Sequence, residues 1–224
     1  SAAEAIDLVG LDTAEGTERS ASFDTLEGIS ALIDHSLVQR SATSTAEPRY
    51  VMLETVREYA RDRLDAAGEA DAVDRQHAAF FLAFAEATAG NESRGRTPPG
   101  TANSVWMTRL RLTGGYQTPW LNHLEADHDN LRAALDWLAR RGEQEILLRL
   151  VSSLSIFWLF RGPYEEGRVR LEQALARDDN RSALLRRDAL YGLGLLAVNQ
   201  DDAARAESCF SESLDIAQAQ GEPA

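Results

Sequence analysis

Apolar positions in this chain recur mostly with the helical period. Leu26, Ile29, Leu32 and Ile33 share one face, and Asp24 followed by Glu27 makes a capping-box start, so a helix is predicted from Asp24 to about Asp34. Ahead of it, Ser1 to Leu8 reads as a short helical piece and residues 9–23 as a polar, glycine-containing loop. Leu37–Ser41 and Arg49–Leu53 read as short strands. The seven residues ATSTAEP separate them, with Pro48 directly before the second, which predicts a hairpin with a loose tip. A helix is predicted from Glu54 to about Ala67, with Val56, Tyr59, Ala60 and Leu64 inward and Gly68 in the C-cap position.

Downstream the pattern is helical with one interruption. Residues 72–89 form an apolar helix around Phe80, Phe81 and Phe84, read as core. Residues 90–119, rich in Gly, Pro and Arg, predict an extended loop with one short helix. Trp120, Leu121, Leu124, Leu131, Leu135 and Leu138 resume the helical period, with a break expected at Asp127 to Asn130 and a stop at Gly142. Ile146 to Phe160 is strongly apolar, which predicts a helix buried on most sides. Gly162 and Pro163 turn the chain into an antiparallel partner, Tyr164 to Ala176, and residues 177–182 form a turn. Ala183–Gln200 and Ala203–Gln220 make a further hairpin.

The last two hairpins superpose. Leu190, Leu193, Gly194, Ala206, Phe210 and Leu214 keep tetratricopeptide spacing, and Val151, Leu154, Trp158, Gly162, Gly167, Leu171, Ala174 and Leu175 fit the same template. Gly167 and Ala206 are equivalent and lie 39 positions apart, longer than the standard repeat. The predicted fold class is mainly α: a truncated winged helix with a small β-hairpin wing, then a right-handed, TPR-like array of antiparallel helical hairpins. The expected domains are 1–70 (winged-helix-like), 71–141 (helical linker with the long loop) and 142–224 (repeats). Since such arrays need about three hairpins for stability, more repeats are expected beyond the last one.

Composition narrows the chemistry. The 224 residues carry 23 basic and 36 acidic side chains, a net charge of −13. Every basic residue is Arg, so no Walker A lysine and no Schiff-base lysine is present. No apolar run reaches membrane-spanning length, no basic-then-apolar segment opens the chain, and one cysteine excludes an internal disulfide; the expectation is a cytoplasmic protein. Helix, wing, helix is the tail of a winged helix, whose obvious use is DNA binding. Residues 1–75 oppose that use, with seven Arg against sixteen acids, net −9. The helix that would enter a groove, Asp24–Asp34, holds Asp24, Glu27 and Asp34 and no Arg.

Candidate sites are few. HLEADHD (123–129) offers His123 with Asp127, and Glu125 with His128 on another face, for a metal; a polar helix surface is the simpler reading, so no metal is expected. Cys209 beside Phe210 reads as an inert buried thiol. No G-x-S-x-G, H-E-x-x-H or glycine-rich phosphate loop occurs, and no catalytic residue is assigned. Gly114-Gly115 is read as a turn. In TPR geometry Asp188, Tyr191, Leu195, Val198 and Asn199 line the concave face, where they could grip a partner.

RYVMLETVREYARDRL (49–64), with ALIDHSLV (31–38) before it, resembles the winged-helix end of actinobacterial STAND-type signal-transduction ATPases, which include AfsR-like and large LuxR-type transcriptional regulators. HLEADHDNLRAALDWL (123–138) and RGPYEEGRVRLEQALA (161–176) resemble the segment joining that winged helix to a tetratricopeptide sensor. The resemblance covers most of the chain except 90–118. It implies a parent protein with a nucleotide-binding core upstream, further repeats downstream and a DNA-binding output domain elsewhere. It also implies ATP or ADP for the parent and no cofactor in this segment. The expected partners are the nucleotide-binding core and further repeats of the same chain, with a protein or small effector as ligand, no membrane, and DNA only through another domain. In related plant and animal proteins a Met-His-Asp triplet faces bound ADP. Met52, Leu53 and Glu54 stand there in this chain; Leu53 cannot donate a hydrogen bond and reads as a core residue, while Glu54 can begin the helix. Three other uses stay open on sequence grounds: a DNA-binding winged-helix module, an enzyme with a site around His123 and His128, and a standalone TPR scaffold for peptides.

Overall fold

The computed structural model describes residues 27–41, 49–90, 118–177 and 182–220. The expectations for Ser1–Leu8, 9–23, the Asp24 cap, the hairpin tip, the 91–117 loop with Gly114-Gly115, and most of the 177–182 turn lie outside them, as does the Trp120 side chain.

The chain divides into two compact units, Ser1–Phe80 and Phe81–Ala224. In the first, helix α1 (27–34) leads through a turn into strands β1 (Val38–Ser41) and β2 (Arg49–Met52). The strands pair antiparallel with Val38 opposite Met52 and Arg40 opposite Tyr50. Val38 is buried, which fixes the register, because a one-residue slip would turn it outward. Helix α2 (Glu54–Ala67) follows at once and ends where expected. Gly68 adopts φ 73°, and the Glu69 N–H donates to the Leu64 carbonyl at 3.0 Å, satisfying a terminal acceptor. Arg61 of α2 then binds Asp74 of α3 (Ala70–Gly90) through two hydrogen bonds, 2.6 and 2.7 Å. Among the expected inward residues of α2, Val56, Ala60 and Leu64 are half-buried. Tyr59 is a correction: it is 66% exposed. It sits three residues after Val56 on a helix with no fully buried residue, so periodicity alone overstated how wide the covered face is.

The second unit stacks helices α4 (Thr118–Ala126), α5 (His128–Arg141), α6 (Gln144–Phe160), α7 (Tyr164–Ala176), α8 (Ala183–Asn199) and α9 (Ala203–Ala219). The expected break falls at Asp127, whose carbonyl accepts from Leu131 N at 2.9 Å and so starts α5. Gly142 ends α5 at φ 72°. Helix α6 is the centre. Leu148, Leu150, Val151, Leu154, Ile156, Phe157 and Trp158 are essentially inaccessible, on every side of the helix. The apolar circumference forces this, because a helix with no polar face is stable only when surrounded. Helices α7 and α8 pack on it, and α9 closes on α8, so α6–α7 and α8–α9 form an array of antiparallel hairpins.

Small residues set how closely these helices approach. A Cβ on Gly167 would stand 2.7 Å from the Trp158 indole, which is 1% exposed and has nowhere to go. A Cβ on Gly192 would stand 2.8 Å from that of Ser155, where α8 crosses α6. Gly167→Ala is therefore expected to lower unfolding stability by about 1–3 kcal/mol through overpacking. Gly28→Ala, at a helical site with open space, should be neutral or slightly stabilising. Denaturant midpoints of the two variants test the contrast, and equal effects would contradict the packing assigned to Trp158.

Candidate functional site

Met52, Leu53 and Glu54 connect the wing to α2. Met52 is half-buried at the end of β2. Leu53 is extended (φ −60°, ψ 142°), and its carbonyl accepts from Arg57 N at 2.9 Å, so its backbone starts the helix. Its side chain is 50% exposed, which corrects the core assignment. The N-cap conformation lifts this residue off the strand before the helical face begins. Glu54, in the first turn, pairs with Arg57, and that hydrogen bond holds the carboxyl below its ordinary range. The strip thus presents an exposed apolar side chain beside an ionised acid.

The five residues expected to face a partner all lie on α8. Asp188 bonds Arg187 at 2.7 Å. Tyr191 packs its ring on Phe210 of α9 (centroids 5.6 Å apart), and burial pushes its hydroxyl pKa up. Leu195 is half-buried, and Val198 and Asn199 are exposed. Tyr191 is therefore partly engaged by its own hairpin, while the end of the helix at Val198 is open.

The histidines separate. His123 is exposed, and Glu125 reaches Arg161 at 3.3 Å. His128 turns toward α7: its Nε2 lies 3.4 Å from Glu166 Oε2, and its ring sits edge-on to Phe157 at 5.4 Å. Glu166 also accepts two hydrogen bonds from Arg132, 2.7 and 2.6 Å. That fork chiefly holds the Glu166 carboxyl below the usual range against the opposing effect of its burial. Among the described residues no group of three His, Cys, Asp or Glu side chains gathers as a metal site would. Local spacing pointed to His128 with Glu125; the true neighbour is on another helix, and no local signal finds it.

A cavity of about 530 Å³ opens between α7, α8 and α9. Leu175, Leu190, Leu193 and Cys209 give it an apolar lining, and the ion pairs Glu172–Arg205 (2.9 Å) and Arg186–Glu212 (2.6 Å) stand beside them. Burial, the largest influence, raises the Cys209 pKa against the opposing pull of Arg205. A thiol kept protonated in an apolar wall, with no histidine in that lining, is a packing group and a poor nucleophile.

Two outcomes follow from this geometry. Because the folded-state pKa of Glu166 is depressed, its contribution is full above the unfolded carboxylate pKa and is lost as pH falls through the lower folded value. Glu166→Gln is expected to cost about 1 kcal/mol at neutral pH and to flatten the fall in stability across that acid window, read from denaturation midpoints at several pH values. Cys209 is expected to react with an aromatic disulfide reagent slowly in the native protein and rapidly in denaturant; equal rates would contradict its burial.

Residues 2–65 match the family of winged helix-turn-helix domains. Over 145 residues the chain is 32% identical to proteins named as HTH-type transcriptional regulators, one from Mycobacterium bovis and two from Mycobacterium tuberculosis strains. The matched stretch is 65% of this chain and 14% of each relative, so the chain spans a small part of their length. No solved structure matches it significantly. The family match falls on the segment that contains α1, the hairpin and most of α2, and helical hairpins follow it in the chain.

Proposed function

We propose that this chain is a non-catalytic regulatory segment of a larger, cytoplasmic STAND-type transcriptional regulator. In this reading residues 1–70 are the winged-helix end of a nucleotide switch, 71–141 a helical linker, and 142–224 the first TPR-like repeats of a sensor. The repeats engage an effector or the ATPase core of the same protein, and the winged helix passes the change to that core, where ATP or ADP is held. Met52, Leu53 and Glu54 lie near the nucleotide in the parent, with Leu53 unable to bond a phosphate. The α8 residues Asp188, Tyr191, Leu195, Val198 and Asn199 contribute to the partner-binding face.

The observation that carries this reading is the combination of a winged-helix segment with a charge of −9 over residues 1–75 and an attached array of helical hairpins. Phosphate backbones repel such a segment, whereas a segment that contacts protein tolerates that charge. Switching of this kind is a shift between two states with different contacts. Deleting residues 142–224 from the intact parent is expected to free output from effector control and to alter the bound nucleotide; unchanged nucleotide state and output would overturn the reading.

The match of residues 2–65 to winged helix-turn-helix domains favours a second reading, in which the segment binds DNA directly. The two separate in a low-salt gel shift of this 224-residue chain with duplex DNA. No complex is expected at concentrations up to about 10 µM, in the range where nonspecific binders already associate. Tight binding that weakens steeply with salt would establish the second reading instead.

A further inference from the structure

Helices α8 and α9 each begin 39 residues after their counterparts α6 and α7, so the groove between α7 and α9, floored by α8, repeats the groove between α5 and α7, floored by α6. The two grooves are closed differently. In the first, Arg170 of α7 lies largely buried and crosses to Asp136 of α5, while Arg132 of α5 crosses to Glu166 of α7 at 2.6 Å. Each of these guanidinium groups has its own carboxylate on the facing helix. In the second groove the residue 39 positions after Arg170 is Cys209, and the one 39 positions after Glu166 is Arg205. The short thiol leaves the room that an arginine stem takes up in the first groove, and the cavity of about 530 Å³ stands there, over the buried Leu190 and Leu193. The charges are left uneven as well. Arg205 reaches Glu172 at 2.9 Å, and Arg168 binds that same carboxylate at 3.2 Å. Arg168 also has Glu165, whereas among the described residues Glu172 is the sole acid paired with Arg205. The other pair in the lining is complete: Arg186 gives Glu212 two hydrogen bonds, 2.8 and 2.6 Å.

We propose that this cavity is a binding site for a small organic monocarboxylate with an apolar body, its head on Arg205 and its body in the space beside Cys209. The size lies within the range of small-molecule sites, which runs from about 300 to 1,000 Å³. The carboxylate gives Arg205 the charge-assisted partner that Arg132 and Arg170 each find within the chain. The body meets Leu175, Leu190, Leu193 and an uncharged thiol, and replaces the water that would otherwise wet them. An amine of the same shape finds no acid to hold it, because Glu172 is bound by two arginines and Glu212 by Arg186. Those two acids in the lining also oppose a doubly charged phosphate. The inference does not depend on the nucleotide-switch reading above.

Titration of this chain with octanoate, octanol and octylamine, followed by nitrogen–proton correlation spectra, tests the proposal. Octanoate is expected to shift the amide signals of Leu190, Leu193 and Cys209 with a Kd of about 0.1–1 mM, the range open to a ligand of this size. Octanol and octylamine should bind at least about tenfold more weakly, the worth of one charge-assisted contact. Arg205→Gln should bring octanoate down to the affinity of octanol and leave octanol unchanged. Cys209→Arg restores the side chain that Arg170 supplies to the first groove and should abolish binding of both. Should that variant fail to fold, by circular dichroism, Arg205→Gln still decides the matter, since its side chain is 44% exposed and its loss leaves the packing intact. No octanoate shifts up to about 10 mM, ten times the weakest expected Kd, would overturn the proposal. So would octanol or octylamine binding as tightly as octanoate, octanoate affinity that survives Arg205→Gln, or binding that persists in a folded Cys209→Arg variant.

Discussion

From Leu150 to Trp158 helix α6 has no face that water can occupy, and the arrangement of the second unit depends on covering it. Its apolar residues run around the whole circumference, from Leu147 to Trp158. A single neighbour leaves most of that surface wet, so α7 and α8 both pack against it, and His128 at the start of α5 meets Phe157. Trp158 makes the constraint sharp. Its indole fills the space that side chains at Gly162 and Gly167 would take, so α7 can lie close only where the chain has no Cβ.

Around this dry centre the polar contacts act as fasteners between neighbours. Arg132 with Glu166 joins α5 to α7, Arg149 with Glu86 joins α6 to α3, and Arg205 with Glu172 joins α9 to α7. Each is partly exposed, so each contributes modestly to stability; their value lies more in fixing which rotation of a helix meets its neighbour. The basic partners are all arginine, whose planar fork suits bidentate pairing with a carboxylate, and Arg132 and Arg149 both use it.

The first unit follows a different logic. Its α2 buries no residue completely and shows Tyr59 to solvent, with Tyr50, Val51 and Leu53 exposed on the hairpin and its exit. Apolar side chains left open beside an acidic surface suit contact with protein better than contact with phosphate. That contrast ties the local structure of the wing to the regulatory reading proposed above.

Much of the fold was legible because it is local. Helix ends at Ala67 and Arg141 follow from Gly68 and Gly142, which take the left-handed conformation that releases a helix, and the break at Asp127 follows from an interrupted period. The 39-residue repeat was visible at Gly167 and Ala206 and holds for whole helices. The candidate site was less legible. Tyr59 came out exposed, since a period shows which residues share a face and not how much of that face a neighbour reaches. His128 was read against Glu125 and instead meets Glu166, and Arg132 reaches the same carboxylate 34 positions away. The amino-acid order by itself determined where helices start, stop and repeat, because those choices are settled by backbone and side-chain groups within about one turn. Tertiary structure alone decided which charges meet and which side chains a neighbour covers, because these depend on how each helix is rotated against the next, a property set by packing around α6.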